Sequence, residues 1–156
     1  MNPMRILIVD NDHVMRGLLS EYFSRCHQSK AYPTLDSESA LKELHRKPYD
    51  VILTDINRPG MNGLTFTRMV RLLCGPPVII LTGYYHPRCR RQAFASGARA
   101  CLPKPTRLPY LAEVVELVVD KGVHYIGEGE KTRRSAIGGG HKPMRHIPKP
   151  DIEEPL

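Results

Sequence analysis

Four polar residues each stand at the end of a short apolar run, where a parallel sheet presents its ligand-binding groups. Asp10 follows ILIV, Asp55 follows VILT, Thr82 closes VIILT, and Lys104 follows ACLP. Because the carboxyl ends of parallel strands share one edge of a sheet, these side chains are expected to meet there. Two carboxylates, a hydroxyl and an ammonium at one edge suit the transfer of a phosphoryl group to an aspartate.

Each of the four has a distinct expected role in that chemistry. Clustered carboxylates bind Mg²⁺, a hard cation that prefers oxygen ligands. Asp55 is the expected nucleophile, Lys104 carries a mobile charge that can reach a phosphate oxygen, and the Thr82 hydroxyl can donate to another. The stretch DINRPGMNG after the third run has a proline and two glycines, which predict a sharp turn beside Asp55. Any one of these residues alone would more often be a surface or capping group.

Five apolar runs predict the strands that position these groups. They are ILIV (6–9), AYPTL (31–35), VILT (51–54), VIILT (78–82) and ACLP (100–103). The three strongest are continuous rather than alternating, which is typical of a parallel sheet covered on both faces. A helical pattern follows each run. The strand–helix order repeated five times predicts an α/β three-layer sandwich with right-handed crossovers.

The helical patterns carry expectations about faces and ends. Asp36 and Thr106 are expected to cap the N-termini of the second and fifth helices, and Gly97 and Gly122 to end the fourth and fifth. The first helix is expected to place its apolar residues on one face, namely Val14, Leu18, Leu19, Tyr22 and Phe23.

Composition indicates one domain followed by a tail. The 156 residues carry a net charge of +7, and no apolar run approaches the length of a membrane span. Residues 127–156 are rich in Gly, Pro and charge, so they are expected to form a flexible tail after a domain over 1–126. No signal peptide is recognised, and the four cysteines lack metal-binding spacing. A cytoplasmic protein with reduced thiols is expected.

The motifs ILIVDND, DINRPGMNG, VIILTG and LPKP, in this order, resemble those of a response-regulator receiver domain. The likeness covers about residues 4–122 and is similar to the single-domain chemotaxis regulator. It implies a flavodoxin-like fold, with five helices around a five-stranded parallel sheet in the order 2-1-3-4-5. It also implies a stand-alone regulator of a two-component phosphorelay. Such a protein catalyses only its own phosphoryl transfer and autodephosphorylation.

The resemblance assigns roles to individual residues. Asp55 would accept a phosphoryl group from the phosphohistidine of a sensor histidine kinase, and Thr82 and Lys104 would sense it. Mg²⁺ is the implied cofactor. Its site would comprise Asp10, Asn11, Asp55 and the backbone carbonyl of Asn57.

Two positions depart from the family pattern. Asn11 stands where a second acid is usual, so weaker metal binding is expected, because affinity depends on ligand charge. Cys101 stands at a switch position that is often aromatic, and the pair Tyr84 and Tyr85, just after Thr82, is the expected substitute. These departures keep open an alternative function, a degenerate receiver that binds proteins independently of phosphate.

Basic charge marks the expected partner surface. No Asp or Glu lies between Ile56 and Ala112, whereas this stretch has nine Lys and Arg residues, including the group Arg88, Arg90 and Arg91. An acidic downstream target, or a second copy of the chain, is expected to bind here. Direct nucleic-acid binding lacks a recognised motif. A hydrolase acting on other phosphates is disfavoured because no substrate pocket is evident.

Overall fold

Five strands and five helices alternate along the part of the chain that the computed structural model describes, residues 2–26, 28–58 and 60–122. The strands are β1 (Met4–Val9), β2 (Ser29–Thr34), β3 (Val51–Asp55), β4 (Val78–Thr82) and β5 (Ala100–Pro103). The helices are α1 (His13–Cys26), α2 (Ser37–Arg46), α3 (Gly63–Leu72), α4 (Pro87–Ala95) and α5 (Leu108–Lys121). The predicted tail, 127–156, lies outside the described residues.

The sheet is parallel and has the order β2-β1-β3-β4-β5, which confirms the predicted topology. Its register aligns the ends of the central strands. Val9 pairs with Thr54, and Asp55 pairs with Leu81. The residues that follow these pairs therefore leave the sheet at one edge, as the sequence predicted.

Helices cover both faces of the sheet, which explains why β1, β3 and β4 contain continuous apolar runs. Ile6 and Ile8 face the side that carries Leu19 and Phe23 of α1 and the apolar face of α5. Leu7 and Val9 face the other side, with side chains from α2, α3 and α4. Each fully buried aliphatic side chain contributes about 1.5–3 kcal/mol.

Two of the four predicted helix ends are found as expected. The Asp36 carboxylate accepts a hydrogen bond of 2.7 Å from the Ser39 amide and caps α2. Gly122 ends α5 with φ of 59°, a left-handed conformation that favours glycine.

The other two ends differ from the prediction. The N-cap of α5 is Arg107, whose side chain makes no capping hydrogen bond, so the prediction for Thr106 was wrong. Pro109 lies in the first turn, where its missing N–H lowers the need for a side-chain cap. The C-cap of α4 is Ser96, and Gly97 follows it with φ of 107°.

The predicted apolar face of α1 is only partly buried. Leu19 and Phe23 are enclosed in the core, but Val14 and Leu18 are 65% and 49% exposed. Residues 18 and 19 point about 100° apart on a helix, and the sheet covers only the stripe that contains the latter.

Candidate functional site

The predicted carboxylates and lysine meet at the carboxyl edge of the sheet. The Lys104 ammonium donates a hydrogen bond of 2.7 Å to Asp10 Oδ2 and lies 3.5 Å from Asp55 Oδ2. Both aspartates are buried, and the lysine is partly buried. The cation thus bridges groups that lie 45 residues apart in the sequence, at the ends of β1 and β3. This arrangement can neutralise charge that develops on an incoming oxyanion.

The loop after β1 separates the roles of its three polar residues. Asp10 Oδ1 accepts a hydrogen bond from the Asp12 amide, which fixes the buried carboxylate. Asp12 Oδ1 accepts from the amides of Val14 and Met15, and these bonds lower the pKa of its carboxyl. Asp12 therefore caps the start of α1. Asn11, which lies between Asp10 and Asp12, is exposed.

A close backbone approach sets the turn after Asp55. The Gly63 amide donates a hydrogen bond to the Ile56 carbonyl at 3.0 Å. A Cβ on Gly63 would lie 1.8 Å from the backbone oxygen of Asp55, so a side chain there would collide with the strand end. Asn57 is exposed in this turn, and Gly60 has φ of 78°. The glycines predicted to shape the turn do so, one by close approach and one by a left-handed backbone.

Arg58 belongs to the site, although sequence reasoning did not assign it there. Its side chain is only 1% exposed, and its Nε lies 3.2 Å from Asp55 Oδ1. The guanidinium carbon lies 5.4 Å from the centroid of the Phe66 ring. In the sequence Arg58 looks like one more loop charge. Its burial depends on α3 folding back beneath it, which no local pattern signals.

The electrostatics of the site centre on Asp55. Burial, and then the charge of Asp10, raise the pKa of the Asp55 carboxyl to about 7, whereas Lys104 and Arg58 act to lower it. Burial likewise lowers the pKa of the Arg58 guanidinium, against the attraction of Asp55. Two carboxyl groups and two basic groups are therefore packed into one partly dehydrated space.

Thr82 lies at the same edge but is turned toward its own loop. Its hydroxyl oxygen accepts a hydrogen bond of 3.0 Å from the Tyr84 amide, and the residue is buried. Tyr84 is 72% exposed, and Tyr85 is also exposed. The structure thus links the hydroxyl directly to the backbone of the predicted switch pair.

The residues predicted to form a switch and partner surface divide into two groups. Arg88 and Arg91 are exposed on α4, and Arg90 is partly buried, where its guanidinium contacts the Tyr85 hydroxyl at 3.4 Å. Cys101, at the predicted switch position, is buried in the core on the side covered by α4 and is not part of the exposed surface. It lies on β5, paired with Ile80 of β4, and both residues belong to the core on this side.

The residues predicted to hold Mg²⁺ offer a small set of hard donors. Asp10 and Asp55 supply carboxylate oxygens, and Asn11 can supply an uncharged one. Among the described residues, no three His, Cys, Asp or Glu side chains are grouped as metal ligands. The donor chemistry fits Mg²⁺, but only two of these ligands carry charge. The helices described by the structure include none long and apolar enough to cross a membrane.

Comparison with known proteins agrees with this geometry. A family model described as the response regulator receiver domain matches residues 6–116. The chain is similar to Protein PetR of Rhodobacter capsulatus, with 29% identity over 92% of this chain and 65% of the relative. It is 31% identical to the Escherichia coli sensor histidine kinase RcsC over 77% of this chain but only 13% of that protein. The chain therefore spans less than two thirds of these relatives.

Solved structures give the same result for the fold. Chemotaxis protein CheY4 of Vibrio cholerae is 26% identical, with a TM-score of 0.70 over 74% of this chain and 98% of that one. The receiver domain of the TMAO respiratory system response regulator TorR is 28% identical, with a TM-score of 0.71 over 76% and 98%. The likeness extends over nearly the whole of these two chains.

Proposed function

Because this chain belongs to the response regulator receiver family, we propose that it is a signalling module in which Asp55 accepts a phosphoryl group from a sensor histidine kinase. The observation that carries this proposal is the position of Lys104, whose ammonium contacts both Asp10 and Asp55. A carboxylate beside a buried cation is suited to bear a doubly charged group. A phosphate-independent scaffold would have no use for such a buried cluster, because burying charges is costly.

Mg²⁺ is the cofactor that accompanies this function. Asp10, Asn11, Asp55 and the backbone carbonyl of Asn57 would hold it. When bound, it supplies positive charge that screens the incoming phosphoryl group from the acceptor carboxylate. The side chains of this protein provide the rest. Lys104 holds the two carboxylates in place. Arg58 contacts Asp55 Oδ1, the oxygen that Lys104 does not contact.

Thr82 provides a route from the acceptor to the surface. Its hydroxyl oxygen is engaged with the Tyr84 amide. A hydroxyl that turns to donate to a phosphoryl oxygen would release that amide, which frees the loop carrying Tyr84 and Tyr85 to move. The exposed arginines at the start of α4 follow this loop directly. Phosphorylation would thereby shift a two-state equilibrium and change affinity for a downstream protein with an acidic surface.

The test is phosphorylation by a small donor. The native protein, Asp55→Asn and Asp120→Asn are incubated with acetyl phosphate and Mg²⁺, and intact mass is measured. Native protein and the Asp120→Asn control, altered at an exposed α5 carboxylate, are expected to gain one phosphoryl group. Asp55→Asn is expected to gain none, and equal labelling of that variant would refute the assignment.

A further inference from the structure

The burial of the Arg58 side chain is not explained by its ion pair with Asp55. This side chain is 1% exposed, yet within the part of the chain that the structure describes its charge forms one ion pair, with Asp55 Oδ1 at 3.2 Å. The N–H direction does not make this contact a hydrogen bond. Among the described residues, none of the three guanidinium nitrogens has a hydrogen-bond partner.

Such an arrangement is costly for a residue that only packs. A guanidinium carries five N–H donors in a planar fork, and burying them without acceptors costs free energy. The face of the Phe66 ring, 5.4 Å away, offers only partial compensation. A group with this geometry is suited to bind an oxyanion, because the fork matches a pair of phosphoryl or carboxylate oxygens.

The charges of the site point to the same conclusion. When both carboxyls are ionised, as a nucleophile and a metal ligand must be, Asp10 and Asp55 contribute two negative charges, and Lys104 and Arg58 contribute two positive charges. Asn11 adds none. The four charged side chains therefore sum to zero before any metal binds. A divalent cation is weakly attracted to such a site, whereas an anion meets less repulsion than at a cluster of carboxylates.

We propose that Arg58 is a built-in cation of the phosphoacceptor site, which supplies part of the positive charge otherwise supplied by Mg²⁺ and binds a phosphoryl oxygen through N–H groups that Asp55 leaves unused. This inference rests on the proposed function. In the reaction with acetyl phosphate, an Asp55 oxygen forms a bond to phosphorus. The bond from phosphorus to the acetate oxygen breaks, and acetate leaves with its electron pair. Arg58 neutralises the added charge without gaining or losing a proton.

The first measurement is Mg²⁺ affinity by titration calorimetry without a phosphodonor. Arg58→Met removes the charge and keeps an unbranched apolar side chain, and Arg68→Met removes an exposed α3 charge as a matched control. We expect Arg58→Met to bind Mg²⁺ at least tenfold more tightly than native protein, and Arg68→Met to remain within twofold. Equal affinity of all three proteins would overturn the inference.

The second measurement is labelling by acetyl phosphate in excess chelator and in saturating Mg²⁺. Native protein and Arg68→Met are expected to become labelled at Asp55 in both conditions. Arg58→Met is expected to lose at least tenfold in rate in chelator and to recover with Mg²⁺. The inference fails if native labelling depends on Mg²⁺ as strongly as that of Arg58→Met.

The two measurements separate this inference from the proposed function. A native protein that is never labelled contradicts the proposed function, while the calorimetric comparison still decides whether Arg58 opposes the metal. Circular dichroism checks the fold of each variant. If Arg58→Met does not fold, Arg58→Gln, which removes both the charge and the bidentate fork of N–H groups, takes its place with the same expected results.

Discussion

The acceptor edge of the sheet and helix α4 both carry arginine, but in opposite surroundings. Arg58 is enclosed against Asp55 and Phe66, whereas Arg88 and Arg91 are exposed to solvent. Removing the partner of a buried charge costs about 3–5 kcal/mol, whereas an exposed ion pair contributes about 0–1 kcal/mol. Burial, rather than residue type, therefore separates the arginine proposed to act at the acceptor edge from the arginines proposed to steer a partner on α4.

The largest expected effect comes from disturbing the backbone that holds the buried edge. Gly63→Ala places a Cβ against the Asp55 carbonyl and should lower the free energy of unfolding by roughly 3 kcal/mol, because neither backbone can yield without breaking packing. Gly83→Ala, in the loop before α4, is the control, since nothing lies within 4 Å of its added Cβ. Urea unfolding of both variants measures the difference. Equal stability of the two variants would mean that the backbone at the acceptor edge accommodates an added Cβ as easily as the loop before α4.

A smaller effect should appear in the pH dependence of stability, again only at the edge. The pKa of Asp55 is raised from 3.8 to about 7, so between these values the folded protein holds a proton that the unfolded chain has lost. The free energy of unfolding should therefore fall as pH rises through this window, by on the order of 1–3 kcal/mol for this group.

The measurement for this effect is urea unfolding from pH 4 to pH 8 in chelator. Asp55→Asn cannot titrate at this position, so its stability should change less steeply with pH than that of native protein. Asp120→Asn is the control and should follow the native curve. Identical slopes for native protein and Asp55→Asn would show that the carboxyl does not hold the proton at neutral pH.

The smallest effect on stability is expected on α4. Replacing Arg88, Arg90 and Arg91 together by Ala should change the free energy of unfolding by less than about 1 kcal/mol, because two of the three are exposed. Their effect should appear instead in association with the target, which for native protein should slow as salt rises. The comparison is target binding against salt for native protein and the triple variant. Identical binding with a flat salt dependence would exclude this face as the partner surface.

Much of the fold could be predicted because it depends on local sequence. The apolar runs at 51–54 and 78–82 became β3 and β4 with bounds within one residue, since a strand buried on both faces must be apolar throughout. Which face of a helix the sheet buries could not be predicted in the same way. Val14 and Leu18 fit the helical period of α1, but periodicity does not say which stripe the sheet will cover.

The site could be predicted only where its residues follow strands. Asp10, Asp55 and Lys104 converge because register alone brings strand ends together. Arg58 depends on a turn and on Phe66 packing beneath its side chain, so spacing gave no sign of it. The burial of Cys101 has a related origin. The sequence shows that it lies on a strand, but not that α4 closes over it.

The Lys104–Asp10 contact joins two parts of the site that are far apart in the sequence. These residues are 94 positions apart, so their contact closes a loop of nearly the whole domain and adds to its contact order. Lys104 directly follows β5, a four-residue strand that is the last in the sheet order and, among the described strands, pairs with β4 alone. Local fraying of that strand would withdraw the ammonium from both carboxylates while β1 and β3 stay paired. On the proposed function, a phosphoryl group bound to Lys104 would hold β5 closed, so amide hydrogen exchange in this strand would report the state of the acceptor.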